Sequence, residues 1–380
     1  MEEHLVPLLT AAPGATGVAV AARRRHEHTM LLSGVTSQDG DPLTPGTRFE
    51  IGSLTKTFTA LLLAQMVAAG EVSHDDDVAR YLPPNSLRTP ITLAQLATHT
   101  SGLPRLPPGL LRTALPRWFT NPYAAFGPND LLNALPRTRT RDTGTRPPYR
   151  YSNYGVALLG LALARAAGVP YANLLADRVL HPLGLHDTDC TDIHQATGHW
   201  HGRPRPPWHI PGLPAAGALR STAPDLLRYL TALLTPHTTP LPAHGPSPLP
   251  AHDAARPPAH NTTPPSAQDA SPPSAHLLAQ DAAPLPSRDA SPLAAALADV
   301  ARPRLVRPGT TDDVCLVWNR RTRPGRTLLF HAGGTRGFTA FAGYSPESGT
   351  ALVALANSAP GLRTPFVQRS YEALRALASA

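Results

Sequence analysis

The amino-acid sequence predicts an α+β protein in which an antiparallel sheet is flanked by an N-terminal and a C-terminal helix and carries a helical subdomain. The chain has 380 residues, of which 42% are hydrophobic, so it can bury a large core. Short apolar segments typical of strands lie near both ends of the chain. Longer apolar runs typical of helices lie between them, which places the helical subdomain at about residues 75–235.

The N-terminal part predicts the first helix and the first two strands. Residues 3–12 predict a short helix. Residues 17–22 and 30–35 are mostly apolar and enclose a polar turn, which is typical of two paired strands. A loop containing Pro42 and Pro45 follows.

Residues 49–58 predict a short strand, a glycine turn and a helix that begins at Ser53 and runs to residue 69. Apolar residues cover more than one face of this helix, so it is expected to be buried. Ser53 and Lys56 are three residues apart and therefore share one face of the first turn. A serine there is usually a helix cap. A buried lysine is costly unless it is paired or neutral, and a neutral lysine beside a serine is a base beside a nucleophile.

The middle of the chain predicts further helices and one long surface excursion. Residues 105–149 are rich in proline and arginine and are expected to lie on the surface, with a helical piece near 129–135. The helices are predicted at residues 91–99 with Thr92 as the cap, at residues 156–167 after the triplet Tyr151-Ser152-Asn153, and from Thr222 onward.

Residues 236–299 are predicted to be a disordered insertion. Fifteen of the 45 prolines lie between Pro236 and Pro292, among Ala, Ser, His and Asp. Such a segment has too little apolar surface to offset the entropy lost on ordering. The catalytic domain is therefore expected to consist of residues 1–235 and 300–380.

The C-terminal part returns to the pattern of strands. Alternating and apolar segments predict an antiparallel meander that a final helix closes. The strands are expected at residues 315–318, 327–335, 337–344 and 350–356, and the helix at residues 364–379.

Charge and residue usage exclude several classes of function. The formal net charge is +8, but the basic residues are dispersed and no nucleic-acid-binding motif is present, so a solvated surface is expected. No run of about 18 apolar residues occurs, and the N-terminus lacks the pattern of a signal peptide, so we expect a cytoplasmic protein without membrane or nucleic-acid partners. The two cysteines, Cys190 and Cys315, predict free buried thiols.

A group of four histidines raises the question of a metal site. These residues lack cysteines and carboxylates at ligand spacing, so the sequence predicts neither a metal nor an organic cofactor. They are His194, His199, His201 and His209.

Three motifs resemble those of the serine β-lactamase and penicillin-binding-protein superfamily, in the same order and at similar spacing. They are Ser53-Leu54-Thr55-Lys56, Tyr151-Ser152-Asn153 and His331-Ala332-Gly333-Gly334. The Tyr-x-Asn form and the histidine in the third motif resemble the class C β-lactamase-related branch, which includes family VIII esterases and D-aminopeptidase-like hydrolases. With its flanking stretches, the resemblance covers about residues 15–235 and 300–360.

The resemblance implies catalysis through an acyl-enzyme. Ser53 would be the nucleophile, and Lys56 the base that activates it if burial and nearby cations lower its pKa. Tyr151 would activate the deacylating water and protonate the leaving group.

The resemblance also implies the substrate-binding residues. Asn153 would hold the catalytic lysine and a substrate amide, and the backbone N–H of Gly334 would join that of the nucleophile in an oxyanion hole. His331 and Gly333 would lie on the strand beside which the substrate binds. Because β-lactamases of this type carry a lysine where this chain has His331, the fixed positive charge is missing there. Arg336 either replaces that charge or faces solvent.

Two functions of different classes follow from these observations. The first is a serine hydrolase of small esters, amides or β-lactams, that is, a carboxylesterase, a D-amino-acid peptidase or a β-lactamase-like enzyme. The second is a non-catalytic ligand-binding or scaffold protein on the same fold. The intact set of Ser53, Lys56 and Tyr151 favours the hydrolase.

Overall fold

One antiparallel sheet forms the centre of the molecule. The structure is a computed structural model, and it describes residues 1–139, 149–235, 291–307, 309–310, 312–361 and 365–379. Strands β1 to β12 are, in chain order, Gly17–Arg24, Glu27–Gly34, Phe49–Glu50, Gly198–Trp200, Arg203–Arg205, Arg220–Ser221, Leu305–Val306, Asp313–Val314, Asn319–Arg323, Arg326–Gly334, Thr339–Ser345 and Thr350–Ala356. Helices α1 to α11 are Glu2–Leu5, Thr55–Ala68, Leu93–Ala97, Leu110–Ala114, Pro128–Ala134, Asn153–Ala167, Tyr171–Leu175, Pro214–Gly217, Ala223–Leu234, Pro292–Asp299 and Phe366–Leu377.

The N-terminal and C-terminal strands belong to the same sheet, in the order β2-β1-β12-β11-β10-β9-β8-β7. Strand β1 joins the two groups, because it pairs with β2 on one side and with β12 on the other. The predicted single antiparallel sheet is therefore confirmed.

Both faces of the central strands are buried, which explains their nearly continuous apolar sequences. Val18 and Val20 face a core that includes residues of α1 and α11. Ala19 and Ala21, which alternate with them, face the larger core beneath the other helices. The N-terminal and C-terminal helices thus cover one face of the sheet, as predicted, and the helical subdomain lies on the other.

Helix α2 precedes the helical subdomain in the chain and lies on the same face of the sheet, where other helices surround it. All but the last two of its residues are buried, and it contacts α6, α8 and α10. Close packing around it depends on small residues: a Cβ at Gly160 of α6 would lie 2.2 Å from the Cβ of Ala215 in α8. The predicted burial of the Ser53 helix is confirmed.

The predicted C-terminal boundary of the insertion, at residue 299, is wrong. Residues 292–299 form helix α10, which packs on α2 and is capped by Ser291, whose Oγ accepts a hydrogen bond from the Ala294 N–H. Its sequence after Pro292 is apolar and rich in alanine, so it buries one face although it follows a proline-rich stretch. The rest of the predicted insertion, residues 236–290, lies outside the described residues.

The strand predicted at residues 315–318 is also wrong. These residues form a turn between β8 and β9, and Val317 has a positive φ of 68°. Their apolar character reflects burial in the core rather than pairing in the sheet. Both cysteines are free, with Cys315 buried and Cys190 half-buried.

Candidate active site

The turn that carries Ser53 lies directly against strand β10. Gly52 has a φ of +49°, and a Cβ at this position would lie 2.7 Å from the backbone nitrogen of Gly334. A Cβ at Gly333 would lie 1.9 Å from the carbonyl oxygen of Ile51. Only glycine permits this approach of two backbones. It places Gly334 beside Ser53, in the wall of the same pocket.

Lys56 lies one turn beyond Ser53 and is completely buried. Its Nζ lies 2.9 Å from Ser53 Oγ and donates a hydrogen bond to the carbonyl oxygen of Ala216, at 2.6 Å. Burial lowers the pKa of Lys56 well below its usual value, and the positive charge of Arg105 lowers it further. A neutral amine at hydrogen-bond distance from a serine can take the proton of its hydroxyl group.

Tyr151 is the third side chain at this place, beside Ser53 and Lys56. The Nζ of Lys56 lies 5.1 Å from the centroid of the tyrosine ring. Burial raises the pKa of Tyr151, whereas the neighbouring hydroxyl of Ser53 and the charge of Arg105 lower it. The guanidinium carbon of Arg105 lies 5.5 Å from the ring centroid. The three predicted catalytic side chains therefore come together, although a hundred residues separate Tyr151 from the first motif.

Asn153 lies in the same pocket, but one of its expected contacts is wrong. Its Nδ2 faces the hydroxyl of Tyr123 at 3.4 Å, and Lys56 is held by Ser53 and Ala216 instead of by this amide. Within the described part of the chain, Oδ1 of Asn153 is buried without a hydrogen-bond partner. An unsatisfied buried acceptor in the wall of a pocket can bind an N–H group of a ligand.

His331 lies on strand β10 and is buried. Burial lowers the pKa of His331 to about 3, and the nearby charge of Lys56 contributes to this shift. The imidazole is therefore neutral at physiological pH, as its residue type predicts. It supplies no positive charge to a substrate.

Arg336 lies half-buried in the wall of the cleft and keeps part of its surface exposed to solvent. Its guanidinium carbon lies 5.0 Å from the ring centroid of Trp200 and 5.4 Å from that of Trp118. These three residues line a cavity of about 310 Å³. This cavity shares Gly334, Tyr123 and Trp208 with the pocket of about 50 Å³ at Ser53, so the two form one cleft.

A buried polar network supports the floor of the cleft. Glu50 accepts hydrogen bonds from the backbone N–H of Trp208 and from the side chain of Gln195. Arg220 donates to the carbonyl oxygens of Trp208 and Ala218 and lies 3.9 Å from Glu50. Strands β3 and β6, which carry the two charges, pair with each other. The network thus fixes Trp208 and the segment whose backbone binds Lys56.

Sequence reasoning missed several residues of this site. Arg105, Tyr123 and Trp208 line it or face its tyrosine, but they lie in loops without a recognisable motif. The stretch of residues 105–149 was assigned to the surface, whereas its Tyr123 lies in the cleft. Ala216 contributes a backbone carbonyl, which no residue type could have indicated.

Two further observations concern metals and membranes. Among the described residues, no group of three or more His, Cys, Asp or Glu side chains could hold a metal ion. None of the described helices is by itself long and apolar enough to cross a bilayer. The helical segments Asn153–Ala167 and Tyr171–Leu180, which meet at 83°, pass that test of length and composition only together.

A serine with a buried lysine and a tyrosine, on an antiparallel sheet with a helical subdomain, is the arrangement expected of the serine β-lactamase and penicillin-binding-protein superfamily. The chain belongs to the beta-lactamase family, whose model matches residues 5–377. Its fold is that of class C β-lactamases: a class C β-lactamase from Rhodobacter sphaeroides superposes with a TM-score of 0.71 at 20% identity, and the match covers 100% of this chain and 99% of that one. A β-lactamase/D-alanine carboxypeptidase from Pseudomonas syringae superposes with a TM-score of 0.69 at 19% identity, over 98% and 97% of the two chains.

Sequence relatives cover less of the chain. The D-alanyl-D-alanine-carboxypeptidase/endopeptidase AmpH of Escherichia coli is 33% identical over 193 residues, which are 47% of this chain and 46% of AmpH. A β-lactamase of Providencia stuartii is 32% identical over 224 residues, which are 56% of this chain and 54% of that protein. The matches therefore span about half the length of these curated relatives.

Proposed function

We propose that the protein hydrolyses small esters through an acyl-enzyme on Ser53. The single observation that carries this proposal is the contact of Ser53 with both Lys56 and Tyr151 in an accessible cleft. Lys56 takes the proton of the serine hydroxyl as Ser53 attacks the carbonyl carbon. Tyr151 then delivers a proton to the leaving group, and in the second step it activates the water that releases the acid.

The backbone N–H groups of Ser53 and Gly334 stabilise the oxyanion in this proposal. They lie on the two backbones that the glycine contacts bring together, so the donors are fixed before the substrate binds. Preorganised donors of this kind typically contribute about a hundredfold or more to turnover. Asn153 binds an amide or other donor of the substrate through its unsatisfied Oδ1.

The neutral imidazole of His331 supports a preference for uncharged esters over anionic β-lactams. At its position on β10 no fixed cation attracts a carboxylate next to the nucleophile. The pocket at Ser53 is small, at about 50 Å³, which suits a short acyl group. We therefore expect p-nitrophenyl acetate and butyrate to be good substrates, and penicillins and cephalosporins to acylate the enzyme slowly.

Arg336 favours a second candidate function, the hydrolysis of peptides or β-lactams that carry a carboxylate. Its cation lies in the larger part of the cleft, between two indole rings. AmpH, one of the relatives, is named as a carboxypeptidase and endopeptidase, which agrees with this candidate.

A comparison of two substrates separates these functions. Steady-state hydrolysis of p-nitrophenyl butyrate and of nitrocefin is measured with the wild-type protein and with Ser53→Ala. Ester hydrolysis that Ser53→Ala abolishes, with slow nitrocefin turnover, supports the esterase proposal. Efficient nitrocefin hydrolysis without ester hydrolysis would refute the ester preference. If neither substrate reacts and no acyl-enzyme forms, the protein is a non-catalytic ligand-binding protein.

A further inference from the structure

His99 is a buried residue with an unusual backbone conformation, in the loop that follows helix α3. Only 1% of its surface is exposed, and its φ of 60° lies in the left-handed region. Residues other than glycine adopt this region infrequently, although histidine, asparagine and aspartate do so more often than most. Such a conformation in a buried position requires compensating contacts.

Those contacts are hydrogen bonds from the backbone amides of Arg150 and Ser152, the residues before and after Tyr151. The carbonyl oxygen of His99 accepts a hydrogen bond from the Arg150 N–H at 2.7 Å. Its ring Nδ1 accepts one from the Ser152 N–H at 3.3 Å. One residue in the left-handed conformation therefore holds two amide groups that flank the catalytic tyrosine.

The imidazole also touches the tyrosine itself. The ring centroids of His99 and Tyr151 are 4.5 Å apart, and the planes are tilted by 46°. The Nζ of Lys56 and the guanidinium carbon of Arg105 lie 5.1 and 5.5 Å from the centroid of the tyrosine ring. The tyrosine ring is thus surrounded by groups that restrict its movement.

The protonation state of His99 suits this arrangement. Because Nδ1 accepts a hydrogen bond, the ring must be neutral with its proton on Nε2. Burial lowers the pKa of His99 well below its usual value, and the neighbouring side chains of Lys56, His331 and Arg307 lower it further. The acceptor therefore persists throughout the neutral pH range.

We propose that His99 is a positioning residue that keeps the hydroxyl of Tyr151 on Ser53. It does not touch the reacting atoms itself. The inference deepens the function proposed above and rests on it, because a tyrosine that transfers protons must stay within hydrogen-bond distance of the nucleophile. A displacement of about 1 Å in a catalytic group can lower turnover a hundredfold.

Two substitutions at this position separate its backbone from its side chain. Asparagine tolerates the left-handed conformation, and its Oδ1 can replace Nδ1 as the acceptor from Ser152. Glycine permits the conformation but removes the acceptor and the ring. We expect His99→Asn to retain kcat for p-nitrophenyl butyrate within about threefold, and His99→Gly to lose about 10- to 100-fold in kcat with less than a threefold change in KM.

His194→Gly is the matched control. His194 also has a positive φ, of 55°, and its carbonyl also accepts a backbone hydrogen bond, from Arg48, but its side chain is exposed. This variant should retain wild-type kcat. The concentration of active protein is measured by fluorophosphonate titration, so that partial unfolding is not counted as slower turnover. If His99→Gly does not fold, His99→Ala makes the same test with a strain of about 1–2 kcal/mol.

Three outcomes bear on the inference. A crystal structure of His99→Gly in which the Tyr151 hydroxyl has moved by more than about 1 Å from Ser53 Oγ, together with the loss in kcat and its rescue by His99→Asn, supports it. Wild-type kcat in His99→Gly, with Ser53→Ala inactive, overturns the positioning role and leaves the proposed function intact. If the wild-type protein is inactive, the proposed function fails. The positioning role is then judged from the crystal structure of His99→Gly alone, and a Tyr151 hydroxyl that has not moved there overturns it.

Discussion

The two sides of the cleft are built in different ways. On the side of the nucleophile, the turn at Gly52 and strand β10 meet backbone to backbone, and a single Cβ at Gly333 would come within 1.9 Å of a carbonyl oxygen. On the opposite side, side chains from separate segments of the chain contact Arg336, whose guanidinium carbon lies 5.0 Å from the ring centroid of Trp200 and 5.4 Å from that of Trp118. In the function proposed above, the comparison assigns the reaction to rigid backbone geometry and the substrate preference to side chains that can be exchanged.

The largest expected effect is that of Gly333→Ala. The added methyl group meets backbone atoms, which cannot rotate away, so the strand must move from the Ser53 turn. We expect a loss of about 3 kcal/mol or more in the free energy of unfolding, measured by urea denaturation, together with loss of esterase activity.

Gly46→Ala is the matched control for this substitution. A Cβ at Gly46 would lie 3.9 Å from Thr44 Oγ1, an ordinary van der Waals distance, so both stability and activity should be retained. A Gly333→Ala variant as stable and active as Gly46→Ala would contradict the rigid contact on the nucleophile side.

The second effect concerns pH and the buried His331. Burial lowers its pKa from 6.5 to about 3 in the folded protein, whereas the unfolded chain takes up the proton near pH 6.5. Stability is therefore fully present above about pH 6.5 and falls as the pH decreases toward 3. Between pH 7 and pH 5 this residue should account for a loss of about 2 kcal/mol.

His331→Gln tests this effect, because glutamine cannot take up the proton. Urea denaturation at pH 7 and pH 5 should show a smaller loss of stability in the variant than in the wild-type protein. An equal loss in both proteins would mean that the imidazole is solvated or paired, which would also weaken the case for a neutral residue at this place.

The third effect concerns Arg336, on the side of the cleft that is formed by side chains. Arg336→Ala should lower kcat/KM for 3-acetoxybenzoate, which carries a carboxylate, by about tenfold, because a half-buried cation and its N–H donors are lost. The hydrolysis of phenyl acetate, which has the same acyl group without the charge, should change by less than about threefold. Equal losses for both esters would show that Arg336 shapes the cleft and does not select charge.

The sequence predicted the nucleophile side better than the opposite side, for a physical reason. Ser53 and Lys56 are neighbours on one helical turn, and the glycines that meet them form a recognisable motif, so local patterns were sufficient. The place of Arg336 depends on Trp118, which lies in a loop, and on Trp200, which ends the three-residue strand β4, and neither segment is long enough to show a periodic pattern. Likewise, the partner of Lys56 is the backbone of Ala216, a group that every residue type offers.

The same contrast applies to the elements of the fold. The sheet and the buried helices were predicted because their apolar patterns are long and regular. The strand at residues 315–318 was predicted wrongly, because a short apolar run has the same composition in a buried turn as in a strand. Helix α10 was missed because its first residue is a proline at the end of a proline-rich stretch, although proline is favourable at the first position of a helix.

The smallest effect is expected from shortening the proline-rich segment. Removal of residues 240–285 should change the melting temperature by no more than about 2 °C and leave ester hydrolysis within about twofold, because its composition offers few apolar side chains for a core. The helices on either side, α9 and α10, each have buried residues of their own. A large decrease in either quantity would show that the segment stabilises the domain or contributes to the cleft.

The most direct test of the acyl-serine mechanism is the mass and position of a trapped acyl group. The protein is mixed with p-nitrophenyl butyrate, quenched in acid and examined by intact-mass and peptide mass spectrometry, beside Ser53→Ala and Lys56→Met. We predict a butyryl adduct on Ser53 of the wild-type protein, none at that position in Ser53→Ala, and formation slowed by about a hundredfold or more in Lys56→Met. An adduct on another residue, or hydrolysis that persists in Ser53→Ala, would contradict the assignment of Ser53 as the nucleophile.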